Sequence, residues 1–313
     1  MATKHLIVIC GPTAVGKTAI TIQLARYFNC EILNADSRQI YREMKIGTAK
    51  PTPEELGQAT HHFIDTHHVH QTYNAASFEK DALHLLQQIF SQQDIAILSG
   101  GSGLYIKAVC EGLDNIPEVA PETRQALMKE LEDKGLPMLL QELKEKDPEF
   151  FKQADIQNPH RVIRALEVIR GTGRAYSSFR KRQPEKRMFS TIKTGLERPR
   201  EELYHRINQR MEVMIEEGLF DEARKLFPLR HLNALNTVGY KEIFDYMLQK
   251  YDYQEAVRLL KRNSRRYAKR QLTWFRADTE TRWFQPRQLP QIIQFIEARK
   301  GETGTPAASP EDK

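Results

Sequence analysis

Cysteine is scarce. The three residues Cys10, Cys30 and Cys110 lie far apart and are odd in number, so the 313-residue chain has neither a disulfide framework nor a C-x-x-C metal or redox pair. They read as small buried hydrophobes. No apolar run approaches the roughly 20 residues needed to span a bilayer, which excludes a membrane partner of that kind. The opening "MATKHLIVIC" enters a strand directly and has no signal-peptide anatomy, so a cytoplasmic location is expected. Internal repeats are absent. Charge of one sign is only mildly in excess, with a net +6, and a balance like that says little until its distribution is seen. Hydrophobic residues make up 40% of the chain, enough for one large domain or two small ones.

What is present begins with "GPTAVGKT" at 11–18, directly after an apolar run and before a helical pattern. It fits G-x-x-x-x-G-K-[ST], a loop whose backbone N–H groups and helix N-terminus cradle phosphate. Gly11, Pro12, Thr13, Ala14, Val15, Gly16, Lys17 and Thr18 are therefore the candidate diphosphate-binding residues. Lys17 reaches the outer phosphates, and the Thr18 hydroxyl would hold Mg²⁺. An ordinary glycine-containing turn is the bland alternative. A nucleotide hydrolase or kinase of this class adds an acidic residue after a later strand. Here the strand "DIAILSGG" (94–101) ends in Ser99, Gly100 and Gly101 without a carboxylate. That points to a diphosphate gripped as a leaving group rather than hydrolysed as ATP.

Strands at 5–10, in "EILNAD" and in "DIAILSGG" alternate with helices, which predicts a parallel α/β sheet. From 120 to about 187 the pattern is helical, with Pro121 at a first helical position, Gly135 as a stop, Asn158 as N-cap, Pro159 at N1 and Gly171 as a stop. "MFSTIKTGLE" returns as a strand and helices follow. The expected organisation is a P-loop NTPase-like parallel sheet flanked by helices over 1–119 and 188–299, a helical insertion over 120–187, and a disordered tail over 300–313.

Two segments are strongly basic. From Arg258 to Arg276 there are eight basic residues and no acid. On a helix, Leu260, Tyr267 and Trp274 fall near one stripe, leaving Arg262, Arg265, Arg266 and Lys269 largely elsewhere. With "RGTGRAYSSFRKRQPEKR" (170–187) this fits a nucleic-acid backbone better than a membrane surface or a plain solvated helix. Asp36, where the second strand feeds a loop, is a candidate general base. With Gln39 three residues on, it also reads as a capping box, and the two readings stay open. Ser102 in "GGSGLY" is a hydroxyl at another strand end. The five histidines of "HHFIDTHHVH" read as ordinary loop histidines, since nothing completes a zinc site.

Together, "GPTAVGKT", "ILNADSRQIYREMKIGTAKP", "HHFID", "GGSGLYIKA", "DIQNPHRVIRALEV", "NTVGYKE" and "RRYAKRQLTWFR" closely resemble the tRNA dimethylallyltransferases, also called tRNA isopentenyltransferases. The resemblance covers residues 11 to 276 in family order. It implies transfer of a dimethylallyl group from dimethylallyl diphosphate to N6 of adenosine 37 beside the tRNA anticodon, with Mg²⁺; a monomer is expected. It makes Asp36 the base, with Lys17 and Ser102 as further catalytic residues. Asp36, Ser37, Arg38, Gln39 and Ser102 would meet the target nucleotide. Arg124, Gln157, Asn158, Pro159, His160 and Arg161 would meet tRNA in the insertion. Ser102 stands where the family usually has Thr, and the zinc-finger extension of some eukaryotic members is absent. Rival readings are a small-molecule kinase, an enzyme prenylating free adenine nucleotides, and a non-catalytic RNA-binding protein.

Overall fold

Six runs pair into one wholly parallel sheet in a computed structural model that describes residues 3–180 and 183–302. The strands are β1 (His5–Cys10), β2 (Ile32–Asn34), β3 (His61–His62), β4 (Ile95–Gly100), β5 (Ser190–Leu196) and β6 (Arg282–Phe284), in the order β3-β2-β4-β1-β5-β6. Every residue of β1 is buried, as its unbroken apolar run requires for a strand covered on both faces. Ile7 pairs with Ile97 of β4 and Ile192 of β5, so the central strand joins segments on either side of the insertion. Parallel neighbours need helical crossovers, which places the loops after β1, β2 and β4 at one edge of the sheet.

The helices of this first unit are α1 (Lys17–Phe28), α2 (Pro53–Leu56), α3 (Ala75–Gln92) and α4 (Gly103–Glu111) before the insertion. After it come α9 (Arg200–Glu216), α10 (Leu219–Leu226), α11 (Tyr240–Met247), α12 (Tyr253–Arg276) and α13 (Leu289–Glu302). Leu24, Ile97, Leu196, Leu203, Ile207, Ala268, Ile292 and Ile296 share one core. Each fully buried Leu or Ile there contributes roughly 1.5–3 kcal/mol. Among the described residues no helix is long and apolar enough to cross a membrane.

The second compact unit runs from Glu111 to Glu185 and holds α5 (Pro121–Lys134), α6 (Leu136–Lys146), α7 (Pro148–Gln153) and α8 (Pro159–Thr172). Its core is formed by Leu127, Leu139, Leu143, Phe150, Ile163, Leu166 and Ile169. It opens at Glu111 rather than at 120, because its two ends are tied by Glu185 N–H donating to Glu111 C=O at 2.7 Å. Asn158 caps α8 through its side chain, with Pro159 at the first position. The helix does not stop at Gly171. It continues to Thr172 and is closed by Gly173 in the left-handed region, φ 71°.

Two further expectations are corrected. His61 and His62 form the edge strand β3 instead of a loop, although among the described residues no cluster of three potential metal ligands exists there or elsewhere. The segment 300–302 is the last turn of α13, held by pairs such as Arg299–Glu302 at 2.7 Å. Residues 303–313, the rest of the expected tail, and Lys181 and Arg182 of the second basic stretch lie outside the described residues.

Candidate active site

The loop after β1 has positive φ at Gly11, Ala14 and Gly16, and the two glycines take values that side chains rarely adopt. Gly11 has φ 152°, and a Cβ there would stand 2.7 Å from the Leu196 carbonyl oxygen at the end of β5. Gly16 has φ 109° and precedes the first turn of α1. Side chains hold the loop from outside. Lys17 Nζ donates to the carbonyls of Gly11 and Pro12, both at 2.9 Å. Arg206 Nε donates to Ala14 C=O at 2.9 Å, and Arg198 Nε to Val15 C=O at 2.8 Å. With those carbonyls engaged, the free N–H groups of the first helical turn and its positive end make an anion site. Burial pushes the Lys17 ammonium down to about 8, with Asp36 opposing the shift and Arg210 reinforcing it.

Asp36 sits where β2 gives way to a turn. Its Oδ1 accepts from the backbone N–H of Arg38 at 2.9 Å and of Gln39 at 3.3 Å. No helix follows, and the capping box is not completed. Gln39 Nε2 donates instead to the carbonyls of Thr48 and Ala49, and its Oε1 accepts from Asn34 Nδ2. Asp36 Oδ2 takes no hydrogen bond among the described residues, so the cap and a free carboxylate oxygen coexist. Ser102 Oγ accepts from Ser37 N–H at 2.9 Å and so pins this turn to the end of β4. Neither Ser37 nor Ser102 lines the cavity described next, whereas Arg38 and Gln39 do.

A cavity of about 840 Å³ opens at this sheet edge. Lys17, Thr18 and Asp36 line it, which brings together the principal residues expected from the sequence. Thr18 offers a hydroxyl with no hydrogen-bond partner among the described residues. Sequence reading alone missed several other groups. Arg206 and Arg210, one turn apart on α9, line the cavity, and burial together with their mutual repulsion lowers the pKa of Arg210. The signal that would have found them is an Arg pair at i, i+4 beside Ile207 and Met211, which are buried. Tyr267 faces Asp36, and burial with that negative charge pushes its phenol up to about 12. An apolar part of the lining comes from Ile46, Pro51, Ile207, Met211 and Leu219.

The basic helix α12 differs from the expected stripe. Its buried face runs Ala256, Leu260, Ser264, Ala268, Gln271 and Phe275. Trp274 is 44% exposed. Seven residues fall about 20° short of two full turns, so the direction of Leu260 has drifted away from the core by Trp274. Part of the cationic face is already satisfied within the chain: Lys261 pairs with Glu212 at 2.6 Å, and Arg265 donates to Asn208 at 2.6 Å. Arg262 donates to its neighbour Asn263. Arg266 and Lys269 are exposed and have no partner among the described residues.

In the second unit, Arg124 donates to Glu167 at 2.9 Å, with Arg164 on the other oxygen of the same buried carboxylate. Gln157, His160 and Arg161 are exposed at the start of α8, while Asn158 and Pro159 are half-buried in its cap.

The family model described as IPP transferase matches residues 39–278. The chain is 50% identical over 299 residues to the tRNA dimethylallyltransferase of Cytophaga hutchinsonii, covering 96% of this chain and 98% of that protein. With that of Christiangramia forsetii it shares 49% identity over 298 residues, 95% and 99% of the two chains. The crystal structure of the full-length tRNA isopentenylpyrophosphate transferase from Bacillus halodurans superposes with a TM-score of 0.71 at 37% identity, covering 96% of this chain and 97% of that one. Motif order, P-loop sheet and site geometry agree with these matches, and the chain belongs to the tRNA dimethylallyltransferase family.

Proposed function

We propose that this chain transfers a dimethylallyl group from dimethylallyl diphosphate to N6 of adenosine 37 in tRNA and releases diphosphate. The observation that carries the reading is that Asp36 and Lys17 line one cavity, close enough for the carboxylate to act electrostatically on the ammonium. One face of the site is built for a diphosphate and the other offers a free carboxylate oxygen.

The adenine amine is a weak nucleophile, because its lone pair is delocalised into the ring. Holding it in line with the allylic carbon supplies much of the rate. The N6–C1 bond forms, the C1–O bond to diphosphate breaks, and the N6 proton passes to Asp36. Lys17, the loop amides, Arg206 and Arg210 stabilise the charge growing on the leaving diphosphate. The apolar residues Ile207, Met211 and Leu219 would receive the prenyl tail. The adenine leaves its stack to reach the cavity. Arg38, Gln39, Ser37 and Ser102 shape its end of the site. The exposed cations of α12, with Arg161 and its neighbours in the insertion, grip tRNA phosphates.

Mg²⁺ fits this donor set. A hydroxyl at Thr18, with no ready-made cluster of three ligands among the described residues, suits a cation held mainly by diphosphate oxygens and water. Bound there with Thr18, it would supply further neutralisation of the leaving group.

The test is mass analysis of nucleosides from tRNA incubated with the protein, dimethylallyl diphosphate and Mg²⁺, with and without ATP. An adenosine heavier by one dimethylallyl group, formed without ATP, is the expected result. Strict dependence on ATP hydrolysis would restore the kinase reading.

A further inference from the structure

A second carboxylate, remote from Asp36 in sequence, is wired to the Asp36 turn. Glu222 on α10 accepts from three consecutive backbone amides: Lys45 N–H at 3.0 Å and Ile46 N–H at 2.9 Å on Oε2, and Gly47 N–H at 2.9 Å on Oε1. Tyr240 OH donates to the same Oε1 at 2.6 Å. Tyr240 is fully buried, and its ring lies so close to Gly47 that a Cβ there would stand 2.5 Å from it. The loop is thus held from both sides at one position.

From this loop the network continues inward. Thr48 C=O and Ala49 C=O accept from Gln39 Nε2 at 2.9 and 3.1 Å, and Gln39 N–H donates to Asp36 Oδ1 at 3.3 Å. Lys45, Ile46, Gly47, Gln39 and Asp36 all line the cavity, whereas Glu222 does not. Among the described residues no hydrogen bond joins the phosphate loop to this network; that loop is held by Lys17, Arg198, Arg206 and Gln271.

We infer that Glu222 is a positioning residue for the acceptor side of the site. Through the 45–49 loop and Gln39 it fixes the Asp36 turn against the adenine, without touching either substrate. The inference rests on the proposed prenyl transfer. A carboxylate suits the task because all four groups facing it are donors, and an ionised carboxylate only accepts.

The experiment compares wild type, Glu222→Gln, Tyr240→Phe, Gln39→Ala and the Glu222→Gln/Gln39→Ala double variant in single-turnover transfer to tRNA. Glutamine turns an NH₂ donor toward backbone N–H groups, so Glu222→Gln should displace the loop. A displacement of order 1 Å at the reacting geometry costs up to about 10²-fold, and a loss of ~10- to 100-fold in the transfer rate is expected. Affinity for dimethylallyl diphosphate, measured without tRNA, should stay within about twofold of wild type. Tyr240→Phe keeps the ring against Gly47 and removes one of four bonds, so a smaller loss is expected and folding is preserved. The double variant should be little worse than the worse single one, since both break the same path. Additive losses, or a fall in donor affinity matching the fall in rate, would overturn the inference and leave Glu222 as general scaffolding. Absence of transfer by wild type itself would instead reject the proposed reaction.

Discussion

Gln271 Oε1 accepts the backbone N–H of Thr13 at 2.9 Å, joining the basic helix to the phosphate loop across most of the chain. The other end of the same amide donates to Gly101 C=O at 2.9 Å. One nearly buried side chain therefore spans the ends of β1 and β4. Gln271→Ala leaves two backbone groups without partners, each worth up to roughly 1–3 kcal/mol if it stays dry. Dimethylallyl diphosphate affinity should fall about tenfold or more, while tRNA affinity, which the proposed function assigns to exposed cations, should change little. Gln271→Glu should be worse than alanine for the donor, because it faces Gly101 C=O with a second acceptor and adds a negative charge. Calorimetric titration with the donor decides the matter, and unchanged affinity in both variants would show that the loop stands without this brace.

Asp36→Asn retains an oxygen for the N–H groups of Arg38 and Gln39 but removes the basic carboxylate. Transfer should slow by roughly 10²–10⁴, with the melting temperature nearly unchanged. Single-turnover rates near those of wild type would leave Asp36 as a turn-forming residue only.

Lys17 gives the donor site a dependence on alkaline pH. Its folded-state pKa is lowered by burial to about 8 from an ordinary 10.5. The ammonium is needed to hold the diphosphate, so donor affinity should be full below about pH 8 and weaken as pH rises through that value. Stability of the ligand-free protein runs the other way. Between the folded and unfolded values the unfolded chain binds more protons, so this group makes stability rise with pH across that window. Asp36 raises the Lys17 value, so Asp36→Asn should move the affinity midpoint downward, and Lys17→Ala should abolish the midpoint. An affinity profile for Lys17→Ala that parallels wild type would assign the titration to another group.

The salt dependence of tRNA binding should respond most cleanly at Arg266 and Lys269. Both are exposed and have no partner among the described residues. Replacing either with alanine should reduce the slope of log affinity against log salt by somewhat less than one unit, roughly 0.7–0.9, and should weaken different tRNAs alike. Arg265→Ala will confound the reading, because it also removes the bond to Asn208 and the contact over Tyr204. If both exposed variants keep the wild-type slope, α12 does not carry the phosphate contacts.

What was legible in the sequence was local. The 11–18 loop, the strands beside it and the Asn158-Pro159 helix start are set by residues within a few positions of one another, and they stand where the spacing puts them. The errors arose where distant contacts override local signals. Gly171 reads as a stop, but α8 passes through it, and a Cβ there would stand 2.3 Å from Val119. The glycine is therefore needed for close approach. Gln39 reads as half of a capping box and is claimed instead by the Thr48 and Ala49 carbonyls. Glu222 and Gln271 carry no local signature, because the backbone groups they hold lie far away in the chain, and Arg206 and Arg210 show only as an i, i+4 pair whose place in the site is set by distant contacts such as Arg206 to Ala14.

The position of β1 has a consequence for the chain as it is made. This strand and its loop are made before β5, the strand that pairs with one flank of β1 and whose Leu196 carbonyl packs against Gly11. Until the insertion has been translated, the most apolar strand of the protein keeps an open edge, the kind of edge that recruits other chains. The insertion thus sets a delay between synthesis of the donor loop and its completion. The two ends of its helical core meet at Glu111 and Glu185, so a core folded during that delay would shorten the distance the returning strand must search.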